Sequence, residues 1–185
     1  MAVRKAAAYS KKYTRPSVRK SAVKARNYIK TVPAQKVTKF HMGNINKFNS
    51  NGFNVILTMQ SKEKLQIRDL ALEAVRQYVH KELEEKLPAA YYLGVKVYPH
   101  HIQRNHKVLT GAGADRMAIG MAHSWGTSEG RAALVDVNHQ LFVVAVDDEK
   151  AAATARDILK KVKPKLPCST RIVTEVKGRG KTEED

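Results

Sequence analysis

Apolar residues recur at helical spacing in two stretches of the chain. In the first stretch, every third or fourth residue is apolar: Ile67, Leu70, Ala71, Ala74, Tyr78, Val79 and Leu83. Polar residues line the rest of its surface: Arg68, Asp69, Glu73, Arg76 and Lys81. This pattern predicts an amphipathic helix over residues 66–86, closed by Pro88.

The second helical stretch begins at three consecutive acidic residues. Asp147, Asp148 and Glu149 supply the negative charge that the amino end of a helix favours. A predicted buried stripe follows: Ala151, Ala152, Ala155, Ile158, Leu159 and Val162. Pro164 then stops the helix.

The remaining apolar runs have the length and alternation of strands. Residues 36–42 and 53–60 flank an Asn- and Gly-rich loop at 43–52, so we expect them to pair antiparallel. Further strands are predicted at 91–98, 131–137, 140–146 and 171–176. Asn138 and His139 separate two of these strands, and we expect a two-residue hairpin there because Asn tolerates a positive φ.

Helices and strands do not alternate regularly, which favours an α+β fold. We predict two helices packed on one face of a mostly antiparallel sheet, in a globular domain over residues 36–176. Residues 1–35 have no sustained period and form a predicted basic N-terminal arm, and residues 177–185 a polar tail. The polar, Gly-containing stretch from 100 to about 116 is predicted to be a long functional loop.

Charge is distributed very unevenly along the chain. The 185 residues carry a formal net charge of +17. Residues 1–62 contain 14 Lys or Arg and no acid, whereas residues 63–185 contain 20 Lys or Arg and 17 Asp or Glu. So dense a positive field favours a polyanionic partner such as nucleic acid over a merely solvated surface.

Several other classes of protein are disfavoured by composition. The single Cys168 excludes an internal disulfide and a Cys-cluster zinc site. The longest aliphatic and aromatic run, 141–146, is far shorter than a membrane span. A mitochondrial presequence stays open as an explanation of the basic start, although the acid-free character continues to Lys62, through predicted sheet.

No group of residues has the pattern of a catalytic or metal site. His100 and His101 are adjacent, so in a strand they point to opposite faces, and no carboxylate accompanies them and His106. Residues 111–116 lack the third glycine of a dinucleotide loop. Ser124 has no nucleophile-elbow sequence around it. We therefore predict no catalytic residue, no metal and no cofactor.

The basic arm, the basic first strands and the basic loop thus remain as candidate interfaces. Few aromatic residues are available for base stacking, so recognition of phosphates and of RNA shape is favoured. For Trp125, beside Gly126, the sequence leaves two roles open: stacking on a base or capping the core.

Several segments in register resemble one family. They are RNYIKTVPAQKVTKFHMGN at 26–44, QIRDLALEAVR at 66–76, VKVYPH at 95–100, ADRMAIGM at 114–121, and Pro167-Cys168 before the last predicted strand. From about Tyr13 to Glu175 the chain resembles the large-subunit ribosomal protein family L-ten-e, the archaeal and eukaryotic branch of universal L-sixteen. One departure is Trp125-Gly126-Thr127-Ser128, where the family usually has Phe-Gly-Lys-Pro.

The resemblance implies a hammerhead-like α+β sandwich and a non-catalytic, structural role in the large ribosomal subunit. The implied partners are large-subunit rRNA, tRNA and neighbouring ribosomal proteins, and no membrane. The resemblance also implies one copy per ribosome, in the cytoplasm, near the aminoacyl-tRNA site and the peptidyl-transferase centre. The rRNA-binding candidates are Lys11, Lys12, Arg15, Arg19, Lys20, Lys24, Arg26, Lys30, Lys36, Lys39, Arg116 and Arg131. The candidates closest to tRNA are Gln103, Arg104, Asn105, His106 and Lys107.

Two other functions would use the same residues differently. A free nucleic-acid-binding or chromatin-type protein would bind generic duplex DNA about as well as folded rRNA, with strong salt dependence. An RNA-acting enzyme would need a polar constellation that the sequence does not offer.

Overall fold

The structure is a computed structural model that describes residues 29, 31–106, 108, 111–112, 120–121, 124–177 and, for the backbone only, 181–184. Nine strands are described: β1 (His41–Gly43), β2 (Val55–Ser61), β3 (Leu65–Arg68), β4 (Tyr91–Val95), β5 (His101–Asn105), β6 (Thr127–Val135), β7 (Gln140–Val146), β8 (Thr170–Val176) and β9 (Lys181–Glu184). Three helices are described: α1 (Ile45–Asn49), α2 (Asp69–Lys86) and α3 (Glu149–Val162). A 3-10 turn at Lys163–Lys165 follows α3.

The strands form two separate antiparallel sheets. The large sheet has six strands in the order β1-β4-β7-β2-β8-β9, and the small sheet has three in the order β3-β6-β5. Strands β6 and β7 follow one another in the chain but belong to different sheets. The turn at 136–139 therefore connects the two sheets.

Helices α2 and α3 pack against each other and against the sheets, which confirms the predicted α+β architecture. α3 contacts β2 and β7 of the large sheet, and α2 contacts β3 and β6 of the small sheet. The core between these layers is mostly aliphatic and includes Leu57, Leu72, Val144 and Ile158, each fully buried. Removing this apolar surface from water is the main stabilising contribution to the fold.

The opposite face of the large sheet is covered by the short helix α1. Phe48 of α1 stacks on Tyr92 of β4 with 3.8 Å between the ring centroids. Phe53, Tyr92 and Ala145 form a small second core there. The sequence assigned residues 43–52 to a loop. The helix forms because Asn44 caps it, accepting a hydrogen bond from the Lys47 backbone N–H at 3.0 Å.

Helix α3 forms as the sequence predicts. It begins after Asp148, ends before Pro164, and buries one stripe: Ala152, Ala155, Ile158, Leu159 and Val162. An acidic first turn and a basic last turn, with Lys160 and Lys161, both suit the helix dipole.

Helix α2 begins three residues later than predicted. Residues 65–68 form β3, which pairs with β6, so Ile67 is a strand residue. Leu70 and Ala74, assigned to the buried stripe, are exposed, and Asp69, Glu73 and Arg76, assigned to the polar surface, are buried. The helix is therefore rotated about its axis relative to the prediction, and its acidic side faces residues 36–42.

Two predicted strand pairings are wrong. In the first predicted strand only His41–Gly43 is regular, as β1, and it pairs with β4 instead of β2. Asn138 has the predicted positive φ of 65°, but β6 and β7 do not form a hairpin. The predicted polar tail contains β9, which extends the large sheet beyond β8.

Candidate nucleic-acid interface

The start of the predicted long loop is a strand. Residues 101–105 form β5, which pairs antiparallel with β6. The polar side chains of His101, Gln103 and Asn105 are buried, and Gln103 Nε2 donates to Gln66 Oε1 at 2.9 Å. Gln103 and Asn105 are therefore interior residues of the small sheet. The sequence predicts a loop here because these side chains are polar, whereas a buried strand is expected to be apolar.

The end of β5 and the start of β6 bring Arg104 and Trp125 together. The Arg104 guanidinium carbon lies 3.7 Å from the centroid of the Trp125 ring, a cation–π contact. Arg104 Nη1 also donates to the carbonyl oxygen of Trp125 at 3.1 Å. Trp125 does not cap the core, since its side chain is 52% exposed.

Gly126 makes this arrangement possible. Its φ is +80°, and a Cβ at this position would lie 2.6 Å from the carbonyl carbon of Asn105 and 2.7 Å from the amide nitrogen of His106. Only glycine fits so close to the neighbouring backbone at this φ. At the same end of the sheet, His106 Nε2 donates to the Gly120 carbonyl at 2.8 Å.

An open groove of about 550 Å³ lies beside the Trp125 ring. Its walls come from the residues around Trp125 and from the first described residues of the chain: Ile29, Thr31, Arg104, Trp125, Gly126, Thr127 and Ser128. The groove thus combines a cation, an exposed indole ring and hydroxyl groups, which suits a polar, aromatic ligand.

The chain that follows the predicted arm lies on the small sheet. Ile29 packs on Ile102 of β5. Ser128 Oγ donates to the Thr31 carbonyl at 3.0 Å, and Arg131 Nε donates to the Pro33 carbonyl at 2.7 Å. Arg131, predicted to bind rRNA, makes an internal contact that holds this segment; any contact with rRNA stays a prediction.

Residues 36–42 continue across helix α2, where buried acids hold them. The backbone N–H of Lys36 donates to Asp69 Oδ2 at 3.2 Å. Burial raises the pKa of Asp69, although the N–H groups of Leu70 and Lys36 and the charge of Arg68 oppose this shift. The Lys36 contact uses its backbone N–H, and the side chains of Lys36 and Lys39 are exposed on the surface.

Glu73 and Arg76 form a buried ion pair in the same place. Arg76 Nε and Nη2 donate to the two carboxylate oxygens at 2.8 and 2.6 Å. The hydrogen bonds from Arg76 hold the pKa of Glu73 below its usual value, with help from Gln77 and the Thr38 backbone. Sequence patterning does not predict this pair, because both residues have the spacing of an exposed helix surface.

Most predicted site residues lie outside the described residues. These are Lys11, Lys12, Arg15, Arg19, Lys20, Lys24, Arg26, Lys30, Lys107 and Arg116. What the structure does locate is where both basic segments join the folded domain. Ile29 follows the predicted arm and His106 precedes the rest of the predicted loop, and both lie at the small sheet.

Cationic side chains elsewhere on the described surface are partly neutralised. Lys47 of α1, for example, pairs with Asp147 at 2.7 Å. Within the described part of the chain, no three His, Cys, Asp or Glu side chains are placed to hold a metal ion. Among the same residues, none of the helices combines the length and apolarity needed to cross a bilayer.

Comparison with known proteins identifies relatives over most of the chain. Residues 13–173 match the family described as Ribosomal protein L16p/L10e. The large ribosomal subunit protein uL16 of Pyrobaculum calidifontis is 39% identical over 156 residues, which cover 84% of this chain and 87% of the relative. The uL16 proteins of Archaeoglobus fulgidus and Thermofilum pendens are each 40% identical over 149 residues, covering 80% of this chain and 83% and 86% of the relatives.

Proposed function

The chain belongs to the ribosomal protein L16p/L10e family, and from that membership we propose that it binds rRNA near the aminoacyl-tRNA site and the peptidyl-transferase centre and supports the positioning of tRNA. The family is a structural component of the large ribosomal subunit and not an enzyme, and the relatives named above are archaeal. Its context is the ribosome, with rRNA and other ribosomal proteins. We further propose that it acts as a single copy in cytoplasmic ribosomes.

One observation carries this proposal: two basic segments join the folded domain at the same small sheet. Residues 1–30 contain ten Lys or Arg, and residues 104–116 contain three. Ile29, next to the first segment, packs against Ile102 of β5, and His106, in the second segment, directly follows β5. We therefore propose that both segments bind the same region of RNA, with the small sheet as their common point of attachment.

The chemistry of the exposed cations favours phosphate recognition. Lys36 and Lys39 are exposed, and the Lys36 backbone is bonded to Asp69 of α2, so their flexible side chains can follow an irregular phosphate path. Each phosphate contact releases condensed counterions, which makes such binding strongly dependent on salt. Together with the arm residues from Lys11 to Lys30, and with Arg116, they are the proposed rRNA contacts.

We propose a shorter tRNA-proximal segment than residues 103–107, which the family resemblance implies. Gln103 and Asn105 are interior residues of β5, so they would support this segment instead of contacting tRNA. We assign the tRNA-proximal role to residues after β5, with His106 and Lys107 first, and keep Arg104 as a surface contact beside Trp125.

Sedimentation tests the assignment to the subunit. A tagged full chain, expressed in its native cells, should co-sediment with large subunits and stay bound in salt that removes generic basic proteins. Lys36 and Lys39 can then be changed together to Gln, and the salt needed for release should fall because two phosphate contacts are lost. A tagged chain that stays at the top of the gradient, or binds duplex DNA as tightly as rRNA, would refute the proposal.

A shortened loop tests the tRNA role separately. Deleting residues 108–114 should leave β5, β6 and subunit incorporation intact while lowering the occupancy of aminoacyl-tRNA on the purified ribosomes. A control deletion of the same length, residues 2–8, lies before the first proposed rRNA contact and should leave occupancy unchanged. Equal occupancy for the loop deletion and the native chain would remove the tRNA role and leave the structural one.

A further inference from the structure

We propose that Trp125, supported by Arg104, is a stacking platform for one unpaired base of the rRNA. This inference rests on the proposed rRNA binding and adds a recognition mode to it. Phosphate contacts alone do not distinguish unpaired bases from duplex, whereas an exposed indole ring does, because bases within a duplex already stack on one another.

The geometry of the ring favours a planar ligand. Its 52% exposure leaves much of the indole surface to solvent, although the Arg104 guanidinium lies over the ring at 3.7 Å. In a lone chain, so much exposed indole surface costs solvation free energy that a stacked base would recover. Aromatic stacking of this kind is a common mode of recognition of single-stranded RNA.

Contacts within the chain position the platform without a ligand. Gly126 brings the backbone against Asn105 and His106, and Arg104 Nη1 holds the Trp125 carbonyl at 3.1 Å. A base that binds there loses its own freedom but orders little of the protein. Preorganisation of this kind lowers the entropic cost of binding.

The surroundings of the ring fit a nucleotide better than a protein side chain. The exposed residues Thr31 and Thr127 contribute hydroxyl groups that can hydrogen-bond to a sugar or a base edge. Arg104 supplies positive charge within reach of a phosphate, and the chain as a whole carries +17, which repels other basic proteins. We therefore assign the groove to a single unpaired nucleotide.

Fluorescence gives a direct test, because Trp125 is the only tryptophan of the chain. The full native chain is titrated with protein-free large-subunit rRNA, with a short single-stranded RNA and with a duplex RNA of equal charge, while binding is followed independently by filter retention. We expect quenching of the tryptophan emission by the rRNA and the single strand, and little quenching by the bound duplex.

Variants measure the contribution of the ring. Trp125→Ala should weaken binding of the single strand about 5- to 150-fold, the range expected for loss of one stacked base, and Trp125→Phe should restore most of it. Tyr98→Ala is the matched control, since Tyr98 is also 52% exposed but lies on Phe40 outside the groove. Melting curves check that each variant is folded.

Three results would overturn the platform. The first is RNA binding without any change in emission. The second is an equal loss of affinity in the Ala variants of Trp125 and Tyr98. The third is quenching only in the assembled subunit and never with rRNA alone, which would place a neighbouring protein in the groove. In each case the sedimentation experiment can still succeed, so failure of the platform is distinguishable from failure of the proposed rRNA binding.

Discussion

Replacing Glu73 by Ala should be among the most destabilising single changes at the polar positions of helix α2. Glu73 accepts both hydrogen bonds of the Arg76 fork, and the side chains of the pair are only 12% and 8% exposed. Removing the carboxylate leaves a buried guanidinium without its counter-charge. Loss of one partner of a buried ion pair typically costs about 3–5 kcal/mol.

The structure supports the lower end of this range. Arg76 keeps a contact with Met42 Sδ at 3.1 Å, and a small part of each side chain still reaches water. For a chain of this length, a loss of about 3 kcal/mol corresponds to a melting temperature lowered by about 6–12 °C. The loss should be smaller in acid. The pKa of Glu73 is lower in the folded protein than in the unfolded chain. The ion pair therefore stabilises the fold at pH values above the ordinary pKa of Glu, and this contribution disappears as the pH falls through the lowered pKa of Glu73.

Urea unfolding and thermal melting of the full chain measure this prediction. The matched control is Glu85→Ala on the same helix, where the pair with Lys81 is 3.8 Å apart and largely exposed, and where a change below about 1 kcal/mol is expected. A double variant, Glu73→Leu with Arg76→Met, should recover most of the loss by removing both charges. If Glu73→Ala costs no more than Glu85→Ala, the pair is not buried beneath residues 36–42.

Three further predictions concern the contacts around the small sheet. Burial raises the pKa of Asp69, so the free energy of unfolding should fall as the pH rises from about 4 through that raised pKa. Asp69→Asn should make the free energy of unfolding depend less on pH, as measured by urea unfolding at a series of pH values. An unchanged pH dependence contradicts the burial of Asp69. Gly126→Ala should cost about 1–3 kcal/mol in urea unfolding, because its φ is +80°, whereas the control Gly130→Ala, with open space at its Cβ, should cost far less; equal costs contradict the close approach. Arg131→Met removes the 2.7 Å bond to the Pro33 carbonyl and should speed limited proteolysis between residues 29 and 36, with little change in melting temperature; an equal cleavage rate would show that the bond holds nothing.

Helix α3 shows what the sequence could predict. Its apolar stripe, its acidic start and its proline stop are all local features, and the buried residues Ala152, Ala155 and Ile158 follow from 3.6-residue spacing alone. The overall α+β architecture follows from the same kind of local pattern.

The buried polar residues that the sequence pattern does not predict depend on partners far away in the chain. Asp69 and Glu73 are buried because residues 36–42 cover them, and no spacing within the helix records that cover. Gln103 is interior because Gln66, 37 residues away, satisfies its amide. The family resemblance supplied the functional assignment but not the boundary between β5 and the segment after it, because the polar side chains of β5 look like those of a loop.

The path of Ile29 and residues 31–43 has a mechanical consequence. This segment lies first on the small sheet, next on helix α2, and only then enters β1, an edge strand that pairs with β4. Tension on the N-terminal arm, as from RNA that shifts during assembly, would first load the Arg131 bond to Pro33 and then the contacts of Asp69 and Glu73. These contacts would bear the force before it reached the edge strand β1, so tension on the N-terminal arm would not separate β1 from the large sheet.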